Sequence, residues 1–152
     1  MCLESHNEIT LIIDSLGGST KSAYFFYDFL KIIRAPVIGL VNGECQSAAM
    51  TILQGCTKRV STRHSRFLVH NNTHVPEMHL TSNIKEHYDM ACIEIQAMQD
   101  QLINILMSRS KKTREVIIAL LDIGTKYNRE YTAQEALEMG FLDEIIEAKP
   151  II

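Results

Sequence analysis

The stretch Val37-Ile38-Gly39-Leu40-Val41-Asn42-Gly43-Glu44-Cys45-Gln46-Ser47-Ala48-Ala49-Met50 decides how the chain is read. Val37 to Val41 is a short β-branched run after Pro36, which predicts a buried strand ending in the glycine at 43. Ala48, Ala49, Met50, Ile52 and Leu53 predict a buried helix. Ser47 falls at the junction, among N–H groups that a first helical turn leaves unpaired and at the positive end of the helix dipole. Charge developing on a bound carbonyl oxygen is stabilised in such a place. Two readings of Ser47 compete at this point: a helix cap and a nucleophile.

Upstream, Ile9-Thr10-Leu11-Ile12-Ile13-Asp14 predicts a strand, broken by Ser15-Leu16-Gly17-Gly18-Ser19. Paired glycines let a backbone turn tightly and approach a bound chain closely. A structural turn alone reads equally well, and the spacing is not that of a phosphate-binding loop. From Thr20, the residues Ala23, Phe26, Tyr27, Leu30 and Ile33 recur at three and four, predicting an amphipathic helix that returns the chain to Val37. The right-handed crossover of such a βαβ unit brings the Gly17/Gly18 turn and the Ser47 turn to one edge of the sheet. Downstream, Ser65-Arg66-Phe67-Leu68-Val69-His70 predicts a strand ending in histidine. That histidine either points into a site at the sheet edge or packs under a loop.

Asn71 to Asn83 is polar and reads as a surface excursion. Its His74 and His79 are five apart without an acidic ligand pattern, which argues against a metal site. Ile84, Tyr88, Ala91, Ile95, Met98, Leu102 and Ile105 then predict one helix from Ile84 to Arg109, about 39 Å long. Ile93, Ala97, Ile103 and Met107 add a second apolar face. Part of this helix is therefore expected to project and pack on another subunit, with Ile95, Met98, Leu102 and Ile105 as the self-assembly stripe; the alternative is a bent helix folded onto its own domain. A shorter helix is predicted from Thr113 to about Leu121, ended by Gly124. Thr132-Ala133-Gln134-Glu135 is a capping box that starts another helix, stopping at Gly140, and Asp143 to Ile146 reads as an edge strand.

The 152 residues fit one domain, 1–152, with a core that needs neither disulfides nor metal. A net charge of −3 gives no argument for nucleic acid or an anionic membrane as partner. Cys2, Cys45, Cys56 and Cys92 form no C-x-x-C pair, so free thiols in a reducing compartment are expected. The first residues are polar and no apolar run approaches the ~20 residues of a membrane span, so the expectation is a cytoplasmic protein.

Taken in order, these motifs resemble the proteolytic subunit of the ATP-dependent Clp protease. That family carries a strand followed by Asn-Ser-Pro-Gly-Gly-Ser, matched by Ile13-Asp14-Ser15-Leu16-Gly17-Gly18-Ser19. Its nucleophile segment, a Gly followed after three residues by Ser, is matched by Gly43 through Ser47. Its Ser-Arg-apolar-apolar-apolar-His strand is matched by Ser65 through His70. Its acidic residue, four before a Ser/Thr-Ala-x-Glu-Ala box, is matched in position by Asn128, and the box and the following Gly-apolar-apolar-Asp by Thr132 to Asp143. The resemblance runs from about Glu8 to Ile146.

It implies an α/β Clp/crotonase-type superhelix of strand-helix units with a long projecting handle helix. It further implies a serine peptidase in which Ser47 attacks a peptide carbonyl, His70 takes and returns the proton, and Asn128 orients the imidazole. Gly18 and Ala48 match the oxyanion-hole positions, and Gly17 and Asn71 the substrate-binding positions. No cofactor is required. Stacked homo-oligomeric rings, an AAA+ ATPase unfoldase partner and unfolded polypeptide substrates follow from the resemblance alone. Three departures accompany it: only eight residues precede Ile9, where the family has a pore-gating segment, a strand and a helix; Asn71 to Pro76 lacks the family's glycines; and Asn128 replaces the acid. Asn cannot offset the charge of an imidazolium. Weak activity and a gain of about tenfold or more on Asn128→Asp are therefore expected, unless Asp122 supplies the carboxylate. A non-catalytic ring subunit and a crotonase-type acyl-CoA enzyme are the rival readings.

Overall fold

A computed structural model describes residues 7–73 and 83–147. His74, His79 and Cys2, each read above, lie outside the described residues. Strand β1 (Ile9–Ser15) leads through α1 (Thr20–Ile32) to β2 (Val37–Gln46), the strand on which the sheet is built. Then follow α2 (Ala48–Gly55), β3 (Lys58–Thr62), β4 (Arg66–Leu68), α3 (Ile84–Ser110), α4 (Arg114–Tyr127), β5 (Tyr131–Thr132), α5 (Ala133–Glu138) and β6 (Glu144–Ile146).

The strand β2 does not end at Gly43, as its composition suggests, but runs on to Gln46. Its first half pairs in parallel with β1, from Ile9 opposite Val37 to Ile13 opposite Val41, and with β3, from Ile38 opposite Lys58 to Val41 opposite Ser61. Its second half pairs with β4, placing Glu44, Cys45 and Gln46 opposite Arg66, Phe67 and Leu68. The bend between the halves falls at Gly43, whose φ is +128°. Two side chains stitch it. The Asp14 carboxylate accepts the Glu44 N–H at 2.9 Å, and buried Ser65 donates its hydroxyl to the Val41 carbonyl at 3.1 Å. The partner of the second half is remote in sequence, so a polar stretch such as Glu44-Cys45-Gln46 reads locally as a turn.

The sheet is completed by β5, antiparallel to β4, and by β6, parallel to β3 at the opposite edge. Phe67, Met50, Leu53, Leu106, Ile117, Leu121 and Phe141 are fully buried between the sheet and its helices. Helix α1 is capped by Ser19, which accepts the Ser22 N–H, but it buries only Ala23 and Tyr24. Phe26, expected in the core, is 48% exposed. The capping box at α5 is complete, with Thr132 accepting from the Glu135 N–H and Glu135 from the Thr132 N–H.

Helix α3 is continuous over 27 residues, about 40 Å. Its first half is exposed, with Ile84, Tyr88, Met90 and Ile93 open to solvent, whereas Leu102, Ile103, Ile105 and Leu106 sit in the core of the chain's own fold. The stripe expected to drive assembly is thus divided. Leu102 and Ile105, together with Ile103 of the second face, belong to the interior, because the last turns of α3 pack on α2 and α4. Helix α4 also departs from expectation: it passes through Gly124 and ends at Tyr127, capped by Asn128 in a left-handed conformation. Gly124 is not a stop signal here. A methyl group at this position would overlap the Val69 carbonyl oxygen, so the glycine lets α4 lie directly against the backbone leading to His70.

Candidate active site

Ser47 stands between the end of β2 and the first turn of α2 with φ 53° and ψ −121°, a backbone conformation outside the regions open to ordinary residues. Holding it there costs on the order of 1–3 kcal/mol. The cost is met by its N–H bond to the Leu68 carbonyl at 2.8 Å and by its own carbonyl, which accepts the Met50 N–H at 3.0 Å. The hydroxyl makes no capping bond to α2. A strained strand-to-helix turn that aims a serine outward has the geometry of a nucleophile elbow.

The Gly17/Gly18 turn lies against this elbow. A Cβ on Gly17, whose φ is +103°, would come within 2.7 Å of the Ser47 Cβ and 3.1 Å of the Ala48 nitrogen, so only glycine allows the approach. Ala48 is the first residue of α2, and its N–H has no partner within that helix. Beside the serine, Gly18, Phe26, Ala49 and Ile52 help to line an open, mainly apolar cleft of about 180 Å³.

Strand β4 stops at Leu68, two residues short of His70, where α4 closes over Val69. Ser47 and His70 nevertheless line one narrow cleft, together with Thr20, Ala48, Val69 and Asn72. Among the described residues no hydrogen bond joins them directly; catalytic bonds of this kind often tighten only when substrate binds. His70 Nδ1 lies 2.6 Å from the carbonyl oxygen of Asn71. A carbonyl can only accept, so Nδ1 is the donor, and Nε2 is the nitrogen left to act as base.

Asn128 is not among the residues lining that cleft. It caps α4, its N–H on the Gly124 carbonyl at 2.9 Å, and its side chain is exposed. Asp122 does not line that cleft either, but it bonds the residue next to the histidine, accepting from Asn71 Nδ2 at 2.9 Å. Asn71 is tied on every side, its N–H to Thr125 Oγ1 at 2.8 Å and its Oδ1 to Gln99 Nε2 at 2.6 Å. Gln99 and Thr125 carried no assignment at the level of sequence, and Gly124 was read only as a helix stop. Gln99 had a legible signal, a polar residue four after Ile95 and three before Leu102 on an apolar face.

The curled, mostly parallel sheet, the elbow and the long helix define an α/β protein of the Clp/crotonase type. The sequence profile of the Clp protease family matches residues 1–149. The chain belongs to the Clp protease family. It is 30% identical over 146 residues to ATP-dependent Clp protease proteolytic subunit 1 of Thermobifida fusca, covering 95% of this chain and 62% of that protein. To proteolytic subunit 4 of Rhodococcus jostii it is 31% identical, covering 95% and 71%; to proteolytic subunit 1 of Protochlamydia amoebophila, 33%, covering 92% and 66%. The chain therefore spans between three fifths and three quarters of these relatives. A ClpP1 mutant from Listeria monocytogenes superposes with a TM-score of 0.79 at 23% identity, covering 95% of this chain and 77% of that one, a likeness of fold. No helix among the described residues is long and apolar enough to cross a membrane.

Proposed function

We propose that the chain is a serine peptidase of the Clp type, with Ser47 as nucleophile, His70 as general base and acid, and the N–H groups of Gly18 and Ala48 as oxyanion donors. The observation that carries the reading is the pairing, in one cleft, of an uncapped elbow serine with a histidine whose Nδ1 proton is held by a carbonyl. Attack by the hydroxyl oxygen transfers its proton to Nε2; the imidazolium then returns that proton to the leaving amine, and water repeats the cycle on the acyl-enzyme. The apolar cleft by Gly18, Phe26, Ala49 and Ile52 suits an apolar side chain next to the cleaved bond. The Gly17 backbone, beside Ser47, runs along an extended substrate in this reading, and Asn71 acts through His70, whose Nδ1 its carbonyl meets. No metal or organic cofactor enters these steps.

Exposed Met90 and Ile93 share one side of α3, with exposed Tyr88 on another, and exposed Phe25, Phe29 and Ile32 share one side of α1, so two helices carry uncovered apolar surface. Two such surfaces on one protomer suit an assembly with two kinds of contact, as a stack of rings has. Polypeptide unfolded by an ATPase is the substrate class in keeping with the family.

A second reading, a non-catalytic subunit of such an assembly, is favoured by one observation: among the described residues no carboxylate is bonded to His70. Hydrolysis of a short fluorogenic peptide ending in an apolar residue separates the two. Turnover abolished by Ser47→Ala and by His70→Ala supports the peptidase, and an assembled protein without turnover supports the second reading.

A further inference from the structure

His70 is oriented by a peptide plane, and that plane is in turn held by side chains. The Asn71 carbonyl that meets His70 Nδ1 and the Asn72 N–H belong to one planar, trans unit, so fixing either end fixes the other. Gln99 Oε1 accepts the Asn72 N–H at 3.0 Å. The same amide donates through Nε2 to Asn71 Oδ1 at 2.6 Å, and Asn71 Nδ2 donates to Asp122 Oδ1 at 2.9 Å.

We propose that the chain of side chains Asp122, Asn71 and Gln99 acts as a polarity relay that positions His70 for the peptidase reaction. An ionised carboxylate only accepts, so Asp122 obliges Asn71 to turn its NH₂ outward and its oxygen toward α3. Gln99 must then meet that oxygen with its own NH₂, which leaves its oxygen for the Asn72 N–H. Each amide has two orientations, and the carboxylate at the end of the chain selects one for both. The selected state holds the Asn71 carbonyl on His70 Nδ1 and keeps Nε2 unprotonated. Asp122 thereby acts on the histidine without touching it, and all three are positioning residues. The inference rests on the peptidase reading for its purpose but not for its test.

Imidazole ¹⁵N spectra of the labelled protein, with His70 assigned by its loss in His70→Gln, report the tautomer whether or not the protein is an enzyme. The wild type is expected to show the Nδ1–H form. Gln99→Met, close in shape but unable to hydrogen-bond strongly, is expected to give a mixture with the Nε2–H form, and to lower kcat on the peptide about tenfold with KM within about twofold. Gln96→Met, on the exposed face of the same helix, should change neither. Exposed Asp122 offers a variant that spares the core. Asp122→Lys presents only donors and should disturb the tautomer more than Asp122→Asn, which can still accept. An unchanged Nδ1–H form in both Gln99→Met and Asp122→Lys would overturn the relay. A tautomer that responds as described in a wild type without turnover would uphold the relay and reject the peptidase reading.

Discussion

At the scale of single residues, the site turns on contacts that leave little room for substitution. Gly124 is the clearest of them. A methyl group there meets the Val69 carbonyl, so Gly124→Ala must push α4 away from the segment that carries His70. Overpacking of this kind costs about 1–3 kcal/mol, and urea unfolding of Gly124→Ala should show a loss near the upper end together with reduced turnover. Asn128 is the opposite case. The sequence alone leads to the expectation that an acid there would raise activity about tenfold. With His70 Nδ1 already on the Asn71 carbonyl and Asn128 exposed and outside the cleft that Ser47 and His70 line, Asn128→Asp is expected to leave kcat within about threefold. A rise of tenfold or more in steady-state hydrolysis would return the third position to Asn128.

At the scale of elements, α3 is two helices in one. Its last turns are core, and its first four project with Tyr88, Met90 and Ile93 in solvent. In the proposed assembly, a charge in the projecting half is expected to break self-association without unfolding the chain, whereas Leu102→Asp should unfold it. Sedimentation of Ile93→Asp at micromolar concentration is expected to give a folded species smaller than the wild type; an unchanged assembly would remove α3 from the interface. The sequence announced the helix, its length and that part of it projects, but not which part, because spacing marks an apolar face without saying whose surface covers it. The same limit explains β2. The β-branched run Val37 to Val41 was legible as strand, but the continuation through Glu44, Cys45 and Gln46 depends on β4, some twenty residues away. The strand-to-helix junction at Ser47, the short strand before His70 and the Thr132 capping box were legible because each is a local pattern. The Gln99, Asn71 and Asp122 chain was not, since it joins three elements that only the fold brings together.

At the scale of the molecule, the closing segment is fastened by one buried cation. Arg59, 3% exposed, donates to both oxygens of Asp143, to Gln54 Oε1 at 2.6 Å and to the Gly140 carbonyl at 2.8 Å. This gives the Gly140-Phe141-Leu142-Asp143 motif its physical role: it locks α5 and β6 onto β3. Removing the carboxylate strands a buried guanidinium, so Asp143→Ala should cost about 3–5 kcal/mol in urea unfolding. Partial burial alone would raise the Asp143 pKa, but hydrogen bonds from the Arg59 side chain and backbone, and the charges of Arg59 and Arg109, outweigh it and hold the carboxyl below its usual value. A folded pKa below the unfolded one means the stabilisation is present above the unfolded pKa, about 3.9, and is lost as pH falls through the folded one. The unfolding midpoint of the wild type should drop steeply below about pH 4, and that of Asp143→Asn less so.

The central claim is that Ser47 is a nucleophile activated by His70, and it is tested most directly by covalent capture. Intact-mass and peptide mapping after treatment with a fluorophosphonate should find one adduct, on Ser47, lost in Ser47→Ala and formed much more slowly in His70→Ala. An assembled, folded protein that acquires no adduct, or acquires one that survives Ser47→Ala, would contradict it.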